Sequence, residues 1–128
     1  MRALRAGALA LALLFTVLPR IASAHANLTY CSIRNGQTFG FKHAPHIVSA
    51  RFAEELTPGG KSWMSVFEGD GDHGLVNEKT VAVVDFKHPQ HMTLRLPALH
   101  RGPYYLIWFT VSAADGHKAA GIVYFHVR

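Results

Sequence analysis

What most constrains this chain is its rhythm: short apolar runs, each cut off by a turn signal before a helix of useful length could form. The runs lie near Ala26–Ser32, His46–Glu54, Ser62–Phe67, Thr80–Phe86, His91–Leu96, Tyr104–Ser112 and Ala119–Val127. Between them fall Asn35-Gly36, Pro58-Gly59-Gly60, the glycines from Gly69 to Gly74, Pro89, Pro97, Gly102-Pro103 and Asp115-Gly116. Glycine reaches positive φ at little cost, and proline fixes φ and removes a ladder donor, so such clusters end strands. Inside the runs the apolar positions alternate. Val48, Ala50 and Phe52 share one face, and Met92, Leu94 and Leu96 share another, as period two requires. Tyr104–Val111 is apolar on both faces, the pattern of a central, covered strand. About seven short strands in one domain predict an all-β fold, an Ig-like sandwich or Greek-key barrel.

The N-terminus reads as an address. Arg2 and Arg5 precede an apolar run from Ala6 to Leu18, Pro19 breaks it, and Ala22-Ser23-Ala24 closes it. A charged start, a short apolar middle and an A-x-A box make a cleavable export signal. The run is shorter than the roughly 20 residues that span a bilayer. Residues 1–24 are therefore expected to be removed, leaving a domain of residues 25–128 in the periplasm, not inserted in the membrane. Without Arg2, Arg5 and Arg20, the thirteen basic side chains fall to ten against eight acidic ones. A body so mildly basic argues against nucleic acid as a partner, and nothing in the pattern asks for more than a monomer. The single cysteine, Cys31, excludes a disulfide framework and a Cys-rich zinc module.

Histidine is the unusual residue: there are nine, all after position 24. Cleavage after Ala24 would make His25 the first residue. A free α-amine titrates near pH 7.7–8.0, so a metal ion can displace its proton at neutral pH. The imidazole of the same residue reaches the same ion. A third nitrogen in that plane would complete the tetragonal geometry that Cu(II) prefers. Asp115-Gly116-His117 offers an imidazole and a carboxylate two positions apart, on one side of an extended segment. The same three residues also make a plain Asp-Gly turn with an exposed histidine.

Taken together, these features resemble the CopC family of periplasmic copper-resistance proteins. His25 stands where the family begins with His. Ala44-Pro45 through Phe52-Ala53-Glu54 resembles its A-P-x-x-V-x-L-x-F-S-E strand. Leu96-Pro97-Ala98-Leu99 with Gly102 and Tyr104 resembles L-P-x-L-x-x-G-x-Y. Trp108, Ser112, Asp115-Gly116-His117, Gly121 and Phe125 resemble the closing W…S…D-x-H…G…F pattern. The resemblance implies a small Greek-key β fold binding one Cu(II). His25 would give amine and imidazole, His117 the third nitrogen, and Asp115 an axial or outer carboxylate. Glu54 matches a residue that sits near copper in some members. It further implies copper sequestration, resistance or delivery, with an inner-membrane copper importer as an exchange partner.

Two departures bear on the site. Ser32-Ile33-Arg34-Asn35-Gly36 lacks the proline of the family's S-x-P-x-x-G. Ala113 and Ala114 put two residues between Ser112 and Asp115, where the family has one, which predicts a bulge. The methionines after the signal are Met64 and Met92, far apart, so no thioether cluster selects Cu(I). His88, His91 and Met92 read as a solvated loop entering a strand. Two other readings compete: a small copper-dependent oxidase or monooxygenase, since paired histidines also build such centres, and a metal-free Ig-like structural module.

Overall fold

The computed structural model describes residues 27–69 and 74–128. Eight strands occur among them. They are β1 (Leu28–Cys31), β2 (Gln37–Phe39), β3 (Ile47–Phe52), β4 (Trp63–Glu68), β5 (Val83–Val84), β6 (His91–Arg95), β7 (Gly102–Val111) and β8 (Lys118–Val127). A short 3-10 turn, Phe41–His43, follows β2. One sheet has the order β1-β3-β6-β5 and the other β2-β8-β7-β4. The sheets share no strand, so the fold is a two-layer sandwich and not a closed barrel.

Alternation decides what lies between the layers. Val48, Ala50 and Phe52 from β3 meet Met92 and Leu94 from β6, all buried. Across the gap stand Met64 and Val66 of β4, Leu106 and Trp108 of β7, and Val123, Phe125 and Val127 of β8. Phe52 packs edge-on against Trp108, with ring centroids 5.4 Å apart, and Tyr104 stacks on Phe125 at 5.3 Å. Each fully buried side chain of this size contributes about 1.5–3 kcal/mol. Both leucines of Leu96-Pro97-Ala98-Leu99 are in the core. The Tyr104 hydroxyl donates back to the His100 carbonyl at 2.8 Å, a corner that ties the entry of β7 to the loop before it.

One expected strand is shorter and one strand was not expected. Thr80–Phe86 shrinks to Val83–Val84. The segment sits at a sheet edge, and the Asp85 carboxylate accepts from the Lys87 N–H at 2.9 Å, turning the chain away. Gln37–Phe39, not among the expected strands, pairs in parallel with Phe125–Val127. A three-residue edge strand carries too little alternation to show itself, and its partner lies at the far end of the chain. The Asn35-Gly36 turn forms without proline: Gly36 has φ +79°. Asn35 Oδ1 accepts from the Tyr124 N–H, and the Gly36 N–H donates to the Tyr124 carbonyl.

β7 and β8 form the longest ladder, ten residue pairs from Gly102↔Val127 to Val111↔Lys118 with unbroken register. Opposite Trp108 stands Gly121. A Cβ at Gly121 would lie 2.5 Å from the Trp108 ring, so the indole fills the space a side chain would take. Gly121→Ala should therefore force the indole off its site. We expect a loss of about 1–3 kcal/mol from overpacking, read as a fall in Tm of roughly 4–8 °C per kcal/mol for a domain this small. An unchanged Tm would mean that Trp108 moves freely.

Candidate metal centre

The ladder of β7 and β8 ends in a tight connection. The Ser112 N–H donates to the His117 carbonyl at 2.8 Å, and the Gly116 N–H to the Ser112 carbonyl at 2.9 Å. The second bond spans four residues, an α-turn, and Gly116 takes φ +72° to close it. The extra alanine is absorbed in this turn. The expected bulge is absent from the β7–β8 ladder, whose register never slips.

The turn aims Asp115 at His117 twice. Asp115 Oδ1 accepts from the His117 backbone N–H at 3.0 Å, and Asp115 Oδ2 lies 2.6 Å from His117 Nδ1. The His117 side chain, then its N–H, holds the Asp115 carboxyl down to about 2, far below the ordinary carboxylate value. Ser112, buried beneath the turn, adds a weaker pull without a hydrogen bond of good geometry. In return, the bond from Asp115 and then its charge push the imidazole pKa up, with a smaller push from Glu54. Both partners are well exposed, so water screens the pair and it contributes little to stability. Its consequence is orientation. With Nδ1 given to Asp115, coordination of a metal falls to Nε2. A carboxylate that fixes the tautomer and raises the basicity of a ligating imidazole is a common outer partner in metal sites.

Glu54 comes to the same end of the sandwich from the other sheet. Beyond β3 the chain crosses over, and Leu56 bridges to Ser112. The Thr57 N–H donates to the Val111 carbonyl and the Ala113 N–H to the Glu55 carbonyl, each at 2.8 Å. These bonds lock residues 55–57 against the base of the turn. Glu54 Oε2 is buried and has no hydrogen-bond partner among the described residues. A buried carboxylate oxygen left without a donor is costly, and it marks a place for a cation or an N–H group.

Of the expected site residues, Asp115 and His117 are in direct contact, and Glu54 is close enough for its charge to be felt at His117. His25 and the segment 1–24 lie outside the described residues, as does His73. Asn27, the first described residue, has its carbonyl bound by the Ala53 N–H at 2.9 Å. Among the described residues no three His, Cys, Asp or Glu side chains gather closely enough to hold a metal by themselves. Ser112, whose buried hydroxyl has no hydrogen-bond partner among the described residues, was named in the sequence only as the Ser of the closing pattern, with no role at the site. Met64 and Met92 are core residues, 1% and 0% exposed, so neither thioether faces solvent. His91 begins β6 and accepts from Arg51 Nε at 3.0 Å, while His88 precedes it in the loop. Cys31 is half-buried, and burial pushes its thiol pKa up.

Comparison with known proteins agrees with this architecture. The model of the CopC domain matches residues 32–128. No curated protein matches the chain. Among solved structures, CopC from Methylosinus trichosporium OB3b is similar at 26% identity and a TM-score of 0.67, covering 78% of this chain and 90% of that one. PcoC from Escherichia coli, described as a methionine-rich copper resistance protein, is similar at 24% identity and a TM-score of 0.61, covering 82% and 100%. The second likeness is one of fold alone. With a single family model covering residues 32–128, which hold the Asp115–His117 turn and every strand but β1, the chain belongs to the CopC family.

Proposed function

We propose that this protein is an exported, non-enzymatic copper-binding protein, serving copper sequestration, resistance or delivery in the periplasm. It would hold one Cu(II) through the amine and imidazole of His25 and Nε2 of His117. Asp115 orients His117, and Glu54 supplies negative charge beside the ion. Copper is cargo here. The observation that carries the reading is the Asp115–His117 lock, with a Glu54 whose charge is felt at His117 and whose buried oxygen has no donor among the described residues.

Three further features support it. The donor set fits: imidazole and carboxylate suit Cu(II), while the thioethers that would select Cu(I) are in the core. Chain reach fits as well. Asn27 is anchored at Ala53, next to Glu54, and two residues span at most about 7 Å, so position 25 is within reach of the same end of the sandwich. Family membership fits, since the CopC domain model matches residues 32–128 and the solved CopC from Methylosinus trichosporium OB3b is similar. Removal of residues 1–24 belongs to the same reading, because only a free amine at His25 can serve as a ligand. An inner-membrane copper importer would be the exchange partner.

Several outcomes follow. In the metal-free protein, His117 should keep its proton to a higher pH than an ordinary imidazole, because the Asp115 carboxylate favours the charged ring. An NMR titration of His117 should show this, and Asp115→Asn should bring the midpoint down. The same substitution should weaken Cu(II) binding by about 10–100-fold, the usual cost of losing an outer partner, and His117→Ala should weaken it more. If Asp115→Asn proves the more damaging, the carboxylate is itself the main ligand.

Glu54→Gln keeps the shape and removes the charge. It should lower Cu(II) affinity in competition titrations while leaving the imidazole signals of the EPR spectrum in place. An affinity equal to wild type would remove Glu54 from the site.

The terminus is tested by one added residue. Protein beginning at His25 should bind Cu(II) far more tightly than protein with a single Gly before it. The extension leaves the imidazole but turns the amine into a non-basic amide. Circular dichroism should be the same for both, since the sandwich does not depend on that amine. Equal affinities would show that the amine is not a ligand.

A further inference from the structure

The edge of β8 away from β7 is a feature that the copper site leaves unexplained. Backbone groups along an antiparallel strand point by turns to one side and to the other. The Tyr124 N–H donates to Asn35 Oδ1, and the Tyr124 carbonyl accepts from the Gly36 N–H. The backbone of Tyr124 therefore points away from β7, and by alternation that of Ala120 and Ile122 points the same way. β2 reaches only Phe125–Val127, so among the described residues no strand pairs with this side of Ala120 and Ile122. Two N–H groups and two carbonyls stand there in strand spacing. Both flanks of the stretch 70–73 are held at β4, the opposite edge of this sheet, by the Gly69 N–H on the Pro103 carbonyl and the Glu68 N–H on the Gly74 carbonyl.

Beside this edge the sandwich is open. β1, the edge strand of the first sheet, and β8 border a cleft of about 460 Å³. Leu28 and Cys31, both partly buried, line one wall, and Gly121 and Val123 the other, with Trp108 between them. The indole reaches over Gly121, its Nε1 2.7 Å from where a Cβ would stand. Trp108 is 8% exposed, yet its N–H donates to no described residue. A buried indole N–H usually finds an acceptor, and here that place is left to a molecule in the cleft.

We propose that an extended segment of another protein adds to β8 here as a further strand, with an acceptor side chain on the Trp108 N–H and a carboxylate beside Arg34. Three features select that occupant. First, bare donors and acceptors in strand register bind an extended backbone, which is how sheet edges take up peptides. Second, the residue set opposite Gly121 turns its side chain into the cleft, where the glycine leaves room and the indole N–H lacks a partner. A threonine there suits both the strand and the donor. Third, Arg34 is the one charged residue lining the cleft, and Lys118 the one formally charged residue of β8. An acidic segment complements them, whereas a second copy of this chain brings the same cations and no acid of its own lining. The added strand ends beside His117, which directly precedes Lys118, so it lies where a copper-exchange partner would need to be. The proposal rests on the removal of residues 1–24, which leaves only two residues before Asn27.

The test is heteronuclear NMR of nitrogen-labelled protein made to begin at His25, with a chelator present, so neither processing nor copper enters the result. The probe is a blocked peptide of about seven residues, threonine and valine in alternation with glutamate at each end. The amide signals of Ala120 and Ile122 and the indole N–H signal of Trp108 should shift together and saturate at millimolar peptide. The same peptide ending in lysine should bind about fivefold more weakly. Ile122→Pro deletes one N–H of the free edge, a place where a strand tolerates proline. It should abolish the shifts and leave circular dichroism unchanged. Ala120→Pro serves as the second variant if the first fails to fold. Signals that stay still at millimolar peptide overturn the proposal. So do shifts that the proline variants leave in place, because the peptide is then bound elsewhere. Shifts of the same amides on concentrating the protein alone, with a doubled mass in sedimentation, would assign the edge to a second copy instead.

Discussion

The rest of the molecule depends on the ten-pair ladder between β7 and β8. A ladder of that length without a slip fixes which side chains turn inward, since a shift by one residue would send every one of them to the other face. It sets Gly121 opposite Trp108, which leaves the indole the space a side chain would take, where it meets Phe52 across the sandwich. It also determines where the strands stop, and so where Asp115 and His117 stand. The turn can take an extra alanine because the ladder below it is rigid and the α-turn above it is not obliged to keep a strand's register.

Electrostatics at the turn works by arrangement more than by strength. An exposed Asp–His pair contributes little to folding, but two bonds from one carboxylate to one histidine leave the ring few orientations. Glu54 plays the opposite part. Its buried oxygen lacks a donor among the described residues, so the fold carries a cost at this end that a bound cation or amine would offset. Preorganised imidazole on one side and unrelieved negative charge on the other suit a site that takes up a divalent ion. The crossing at residues 55–57 is what makes the two sides meet, because it joins the first sheet to the hairpin of the second.

The apolar inventory divides in a way that narrows the metal chemistry. Met64 and Met92 pack in the core, where flexible thioethers fill irregular space. Sulfur is thus spent on packing, and nitrogen and oxygen are left at the surface. The aromatic residues split between the two sides of the second sheet. Tyr104 and Trp108 serve the core, while Tyr105 and Phe109, one position further along, build the outer stacks.

Much of this was legible in the residues. Alternation gave β3 and β6, because burial on one face imposes period two directly on the sequence, while β7, apolar on both faces, was legible as a strand but not in which row turns inward. Asp-Gly named the turn, and the spacing of Asp115 and His117 placed them on one side of it. Other features were not legible. β2 is three residues long and pairs with strand residues nearly ninety positions away, and β5 is cut short by an Asp85 side-chain bond; neither leaves a local pattern. Glu54 beside His117 is likewise a matter of which loop crosses which sheet. Local periodicity and turn chemistry, set by steric and hydrogen-bonding rules that act over a few residues, were determined by the sequence alone. Which carboxylate oxygen was left without a donor among the described residues, and which loop brought it to the end of the sandwich where His117 stands, were decided only by tertiary structure, because each depends on contacts between segments far apart in the chain.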